Sequence, residues 1–356
     1  MASVRSAERR FSPLDEELAL LPGEFTPVLH ERLTDLGTEI PSFVRAARVF
    51  QRVTRTAVSE ATLRRYTERA GTVLCEVERA AATAAVPTPA NPAPPGRLWV
   101  LADGAFVRLL HGEWKEVKTL AIGEVQPPRL VKGEMEVECA ALSYFSRLAE
   151  VDEFIPAATV EIRRRGVDRA KEVGAAADGA SWCQRFYDHH CPQAVRVLDF
   201  YHGAEYVHDF SKVLYPGSEG AAQWWAGQKL HGLKHEGPTS LLDSLRAWTA
   251  TGSGSSLGKQ AAATLHYFEE REALIQYPAF RAAGWPIGSG AVESANQSVV
   301  HDRMKGPGKF WAAEHVNPML ALRNATCSER WDEAWAALTV KMREGRYPVA
   351  MLHPKT

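Results

Sequence analysis

A mixed α/β sheet, broken late in the chain by a block of helices, is the fold that three features of this 356-residue sequence predict. The first is a set of small apolar runs, Arg97–Val107, Lys171–Ala177 and Ala194–Leu198, too short for core helices and suited to buried strands. The second is that each run reaches an acid: Asp103 before Gly104, Asp178 before Gly179, and Asp199 before Phe200, Tyr201 and His202. The third is the stretch from Gly203 to Gly284, whose leucines and tryptophans recur at helical spacing in three groups parted by Gly237-Pro238 and by Gly252 to Ser256.

Taken in order, Pro13 to Gly37 is a mostly helical leucine pattern broken by Pro22, Gly23 and Pro27. Ser42 then caps a helix through Val44, Ala47, Val49 and Phe50, and Ser59 caps a second through Leu63 and Tyr66, with Thr62, Arg64, Arg65 and Arg69 on its polar side. Between residues 45 and 69 seven arginines face two acids, in a chain whose net charge is only −1. Overall charge therefore does not announce a nucleic-acid binder, whereas this local patch does. Arg45, Arg48, Arg64, Arg65 and Arg69 are the expected duplex-DNA contacts of a helix-turn-helix-like unit, the plain alternative being a solvated helical pair. Thr83 to Gly96, rich in alanine and proline, reads as an extended linker.

Beyond it the pattern predicts a strand ending at Asp103, where Gly104 turns the chain, and further strands at Ala105–Leu110 and Glu116–Val125. A helix is expected over Leu142–Arg165 with a break near Pro156, then the Asp178 strand, a helix Ser181–His189 and the Asp199 strand. Phe310 to Arg346 is helical, with Trp311, Trp331 and Trp335 packing inward. The expected divisions are a helical DNA-binding region over 1–82, the linker 83–96, a catalytic domain from 97–202 with 285–326, the helical insertion 203–284 and a tail 327–356.

Asp103, one of Asp178 or Asp199, and Glu293, in the first turn of a helix behind Gly288-Ser289-Gly290, compose the candidate chemistry. Each Asp-Gly alone is an ordinary turn. Together, three acids on two strand ends and a helix suit a pair of magnesium or manganese ions, which take oxygen ligands and promote phosphoryl transfer. On this strand and helix order the arrangement is that of a ribonuclease-H-like fold. Five cysteines without a Cys-x-x-Cys pair point to reduced thiols, no apolar run is long enough to cross a bilayer, and the amino terminus is too charged for a secretory signal. A cytoplasmic chain is expected.

The runs Val100-Leu101-Ala102-Asp103-Gly104, Ala177-Asp178-Gly179 and Val197-Leu198-Asp199-Phe200-Tyr201-His202 are followed by Pro286 to Asn296 around Glu293 and by Asp302-Arg303-Met304-Lys305-Gly306. From about Phe11 onward the chain resembles bacterial insertion-sequence transposases of the ISKra group, relatives of the Mutator-like DDE transposases. The resemblance implies a metal-dependent transposase that cleaves DNA at the ends of a transposable element and joins the 3′ hydroxyls to target DNA. It implies Asp103, Asp178 and Glu293 as triad and metal ligands, with two Mg2+ or Mn2+ ions. Asp199 and His202 become an accessory pair, His202 contacting the scissile phosphate or orienting a ligand, and Arg303 and Lys305 meet the phosphate backbone. Partners are then double-stranded DNA, both element ends and target, and further copies of the chain in a homodimer or larger assembly at the nucleoid. The cysteine-rich zinc-binding segment that usually precedes the Phe11–Asp15 stretch in that family is missing, so a shortened copy is expected. Two alternatives stand beside the transposase: an inactive DNA-binding descendant, and a nuclease that cuts without joining.

Overall fold

The computed structural model describes residues 25–84, 94–131, 133–288 and 290–344. The expectations for Pro13 to Pro22, for most of the linker and for the end of the tail lie outside these residues. Three helices open the described chain: α1 (Pro27–Glu39), α2 (Phe43–Thr54) and α3 (Glu60–Thr83). Ser42 and Ser59 cap α2 and α3 as expected, their hydroxyls accepting the Arg45 and Thr62 amides that a helix start leaves unpaired. Leu33, Ala46, Phe50, Leu63 and Tyr66 close a small core between them.

The main sheet has five strands: β1 (Arg97–Arg108), β2 (Trp114–Val125), β5 (Cys139–Leu148), β6 (Glu172–Ala177) and β7 (Val195–Leu198). A separate hairpin of β3 (Arg129–Val131) and β4 (Glu134–Glu136) rises between β2 and β5. The order across the sheet is β5-β2-β1-β6-β7, with β2 antiparallel to both β1 and β5, and β6 and β7 parallel to β1. Helices α4 (Val151–Arg165) and α5 (Ser181–His190) join its later strands. Their Phe154, Ala158 and Phe186 bury one face, with Leu98, Val100, Leu120 and Ile122, while Trp99, Leu101 and Ala121 pack into a second core on the other. Burial on both faces is why β1 reads as an uninterrupted apolar run.

Two strand expectations need correction. β1 does not stop at Asp103: it runs on to Arg108, with Asp103 opposite Thr119 and Gly104 opposite Lys118, so the expected strands on either side of Gly104 are one. Gly104 lies in the ladder and not in a turn, and a Cβ there would meet the Glu116 carboxylate 2.2 Å away. Nor is Leu142–Arg165 one helix. Its first part is the end of β5, where Ser143 to Arg147 are all buried, and the helix begins only at Val151 and accommodates Pro156 inside it.

The helical block starts at Phe200 and, among the described residues, holds five helices where three stretches were expected: α6 (Phe200–Leu214), α7 (Glu219–His235), α8 (Thr239–Thr251), α9 (Ser256–Glu269) and α10 (Tyr277–Ala282). The chain returns to the sheet in α11 (Gly290–Ala295), which passes into a π-helical stretch, Asn296–His301, and a last turn, Asp302–Met304. Two helices follow, α12 (Ala313–Cys327) and α13 (Trp331–Glu344).

α12 packs between the amino-terminal helices and the sheet. Gly71 of α3 crosses it so closely that a Cβ would lie 2.1 Å from Pro318 O, and Leu74 packs on Ala321, Leu322 and Ala325. Farther along, Glu78 of α3 pairs with the buried Arg147 of β5. The same α12 presents Asn317 Oδ1 to the Leu148 amide (2.8 Å) and Asn324 Oδ1 to the Ser146 amide (3.0 Å), satisfying the outer edge of the sheet.

Candidate active site

Parallel pairing sets the three strand acids at one level. Leu101 pairs with Ala176 and Ala177 with Leu198, so continuing both registers aligns Asp103, Asp178 and Asp199 on adjacent strands. At an interstrand spacing of about 4.8 Å, Asp178 neighbours Asp103 while Asp199 lies about 10 Å from it. The β1–β6 ladder ends immediately before the acids. There the buried Tyr187 of α5 inserts its hydroxyl, accepting from the Ala102 amide (2.9 Å) and donating to Ala176 O (2.5 Å). This wedge saturates the backbone of both strands at the point where they part and fixes the starting position of the two aspartates. Past Asp178, Gly179 takes φ +93°, so the turn expected at an Asp-Gly is present here and absent at Gly104.

Asp103 is held at both oxygens. Oδ1 accepts from the Gly104 amide (2.7 Å) and Oδ2 from Asn296 Nδ2 (2.7 Å). Burial is the main reason its carboxyl is pushed up to about 6, and the nearby charges of Asp178 and Glu293 raise it further against those two hydrogen bonds. Asp178 and Glu293 are therefore the acids whose field Asp103 feels. Glu293 lies exposed on the first turn of α11, and Asn296, one turn on, opens the π-helical stretch. Local widening of a helix of this kind is common at functional sites. Asn296 is 4% exposed, and among the described residues its Oδ1 has no hydrogen-bond partner. Sequence reasoning quoted this asparagine without assigning it a role, although its spacing of three from Glu293 was the available signal.

Asp199 serves as a helix cap: it is buried, and its Oδ1 accepts from the His202 amide at 2.6 Å. The His202 ring lies 5.7 Å edge-on from Tyr206, with Nδ1 3.7 Å from Glu205. Tyr206 stacks on Tyr267 of α9 (3.8 Å between centroids), and the Tyr267 hydroxyl donates to Asp178 O (3.2 Å). Arg271 lies over Tyr267 (4.3 Å) and reaches Gly179 O (3.4 Å). The helical block thus docks on the Asp178–Gly179 turn and brings a cation that sequence reasoning missed.

The expected DNA contacts divide. Arg45, Arg48, Arg64, Arg65 and Arg69, with Arg52 and Arg55, are exposed, and among the described residues none of them forms an ion pair. Arg303, expected at a phosphate, is instead 2% exposed. It donates to Gly37 O (3.0 and 3.3 Å) and Pro41 O (3.1 Å) and lies between the rings of Phe43 and Trp311. It caps the carboxy-terminal end of α1 and locks that helix to the segment that carries Glu293. Lys305 is half-buried, which lowers its proton affinity.

Among the described residues, no three His, Cys, Asp or Glu side chains are gathered closely enough to hold a metal ion. The donor chemistry nonetheless fits a hard cation, because a half-buried carboxylate in the field of two others is unfavourable until a positive charge neutralises it. No helix among the described residues is long and apolar enough to cross a membrane. In comparisons with known proteins, one family model matches residues 7–218, described as an uncharacterised protein family (UPF0236). No curated protein matches.

Proposed function

The chain belongs to the uncharacterised family UPF0236, a membership that carries no activity with it, and from the site we propose that it is a DNA transposase of the ribonuclease-H-like DDE type. The observation that carries this reading is Asp103, a half-buried acid held at both oxygens and raised to about 6 beside Asp178 and Glu293. The sheet order supports it: an antiparallel trio followed by two strands parallel to the first, with Asp103 within β1 and Asp178 just past the end of β6, is compatible with a ribonuclease-H-like sheet. Asp103, Asp178 and Glu293 would hold two magnesium or manganese ions, which when bound supply an activated attacking oxygen and stabilise the leaving one. Asn296 orients Asp103, as outer partners do for metal-binding carboxylates. On this reading His202, in the first turn of α6 behind the Asp199 cap, serves the scissile phosphate, and the arginines of α2 and α3 hold the duplex by its phosphates. A chain that only bound DNA would gain nothing from a destabilising half-buried acid, which argues against the inactive alternative.

Supercoiled plasmid with magnesium or manganese tests the reading. Nicked circles should appear only with metal, and joined products in a two-DNA reaction would separate a transposase from a nuclease that cuts without joining. Asp178→Asn should remove nicking in both metals, whereas Asp199→Asn, altering a cap, should leave measurable activity. Nicking by the Asp178→Asn protein, or equal loss in both variants, would refute the assignment.

A further inference from the structure

Behind the start of the Glu293 helix lies a cavity of about 510 Å³, within the usual size range of small-ligand sites. Trp99, Leu142, Phe200 and Ile287 give it apolar walls. Tyr201 forms part of its lining and is 66% exposed, two residues after the Asp199 cap. Its ring is not loose. Phe200 meets it edge-on at 5.8 Å, the Phe200 amide bonds to Ile287 O (2.9 Å), and the ring lies so near Gly288 that a Cβ there would be 3.0 Å away. A flat aromatic surface is thus fixed against the loop that leads to Glu293, with much of its area left to solvent.

The polar lining is mixed. Lys234 and Arg281 both pair with Glu134, Arg281 also bonding His235 Nδ1 (3.0 Å) and Met135 O (3.3 Å), and Glu136 and Glu138 complete the charged lining. Two carboxylates disfavour a bare anion, yet they accept hydrogen bonds well from the amino and imino edges of a base. Ser294, also in the lining, adjoins Glu293.

We propose that this cavity takes up one unpaired nucleobase from the DNA strand presented to Asp103, Asp178 and Glu293, stacked on Tyr201. The assignment rests on the DNA-processing reading and adds to it a positioning residue: stacking one base beside the acids fixes the neighbouring phosphate. Base–aromatic stacking is worth about 1–3 kcal/mol per base, or about 5- to 150-fold in affinity.

The test uses the whole chain and two duplexes, one fully paired and one ending in a single unpaired 3′ 2-aminopurine. Wild type should bind the unpaired end more tightly, with the probe's fluorescence quenched as it stacks. Tyr201→Ala should weaken that complex about 10-fold and restore the fluorescence, with paired-duplex affinity unchanged within about 2-fold, and Tyr201→Phe should behave as wild type. If wild type prefers neither duplex, or if Tyr201→Ala weakens both equally, the base site is wrong although DNA binding stands. If wild type binds neither duplex, the DNA reading itself fails and the base site with it.

Discussion

Asp103→Asn is expected to abolish metal-dependent cleavage and, at the same time, to make the protein more stable. Loss of a direct ligand should exceed the 10- to 100-fold cost of removing an outer partner such as Asn296, and about 10³-fold or more is expected. The stability gain follows from the carboxyl's position. Its proton affinity is raised from 3.8 to about 6 in the folded chain. In the window between those values the native state holds more protons than the unfolded state, so this group's contribution falls as pH rises. Ionised at pH 7, it costs the fold up to about 3 kcal/mol, and the cost fades as pH falls from 6 toward 4. An asparagine removes it, because its carbonyl keeps the Gly104 amide while its amino group reaches Asn296 Oδ1, unpartnered among the described residues, after one amide flip. Denaturant titrations should place Asp103→Asn above wild type at pH 7 and equal to it near pH 4. Magnesium should raise the melting temperature of wild type alone. A variant less stable than wild type at pH 7 would mean that the carboxylate is a structural anion.

Arg303→Met should destabilise by about 3 kcal/mol while leaving the salt dependence of DNA binding unchanged. The substitution strips hydrogen bonds from two carbonyls at the end of α1 and removes the cation from between Phe43 and Trp311. Since the guanidinium is buried, it releases no counterion from DNA. Arg64→Ala with Arg65→Ala makes the opposite pattern: both side chains are exposed, so the slope of log affinity against log salt should flatten by about 2 with stability nearly unchanged. A flattened slope in Arg303→Met would return that residue to the phosphate backbone.

Features that depend on neighbours in sequence were legible. Ser42 and Ser59 cap because the oxygen and the amide it accepts lie within one turn, and the helical block shows itself by spacing alone. The acids stood out because each closes an apolar run. What stayed hidden depends on partners far along the chain. Ser143 to Arg147 look too polar for a buried strand until Asn324 and Glu78 meet them. Arg303, beside Asp302 and Lys305, looks like solvated surface until the Gly37 carbonyl receives it. Gly104 resembles a turn glycine because nothing local reveals that it pairs with Lys118 inside the β1–β2 ladder. Tyr187 belongs to this class too, since its role exists only where two distant strands part.

The bridge made by α12 bears on the order of events during synthesis. Gly71 and Leu74 wait for partners encoded some 240 residues later, as the hydrogen bond from Cys75 to Asn317 O across 242 positions illustrates. Contacts of such range close late and slow folding. A nascent chain halted before residue 293 would already carry the arginine helices and both strand aspartates, yet neither the glutamate nor the Arg303 lock. It would also lack α12, on which α3 packs, so on the proposed reading the amino-terminal helices and the third acid reach their places together, only once α12 has been made.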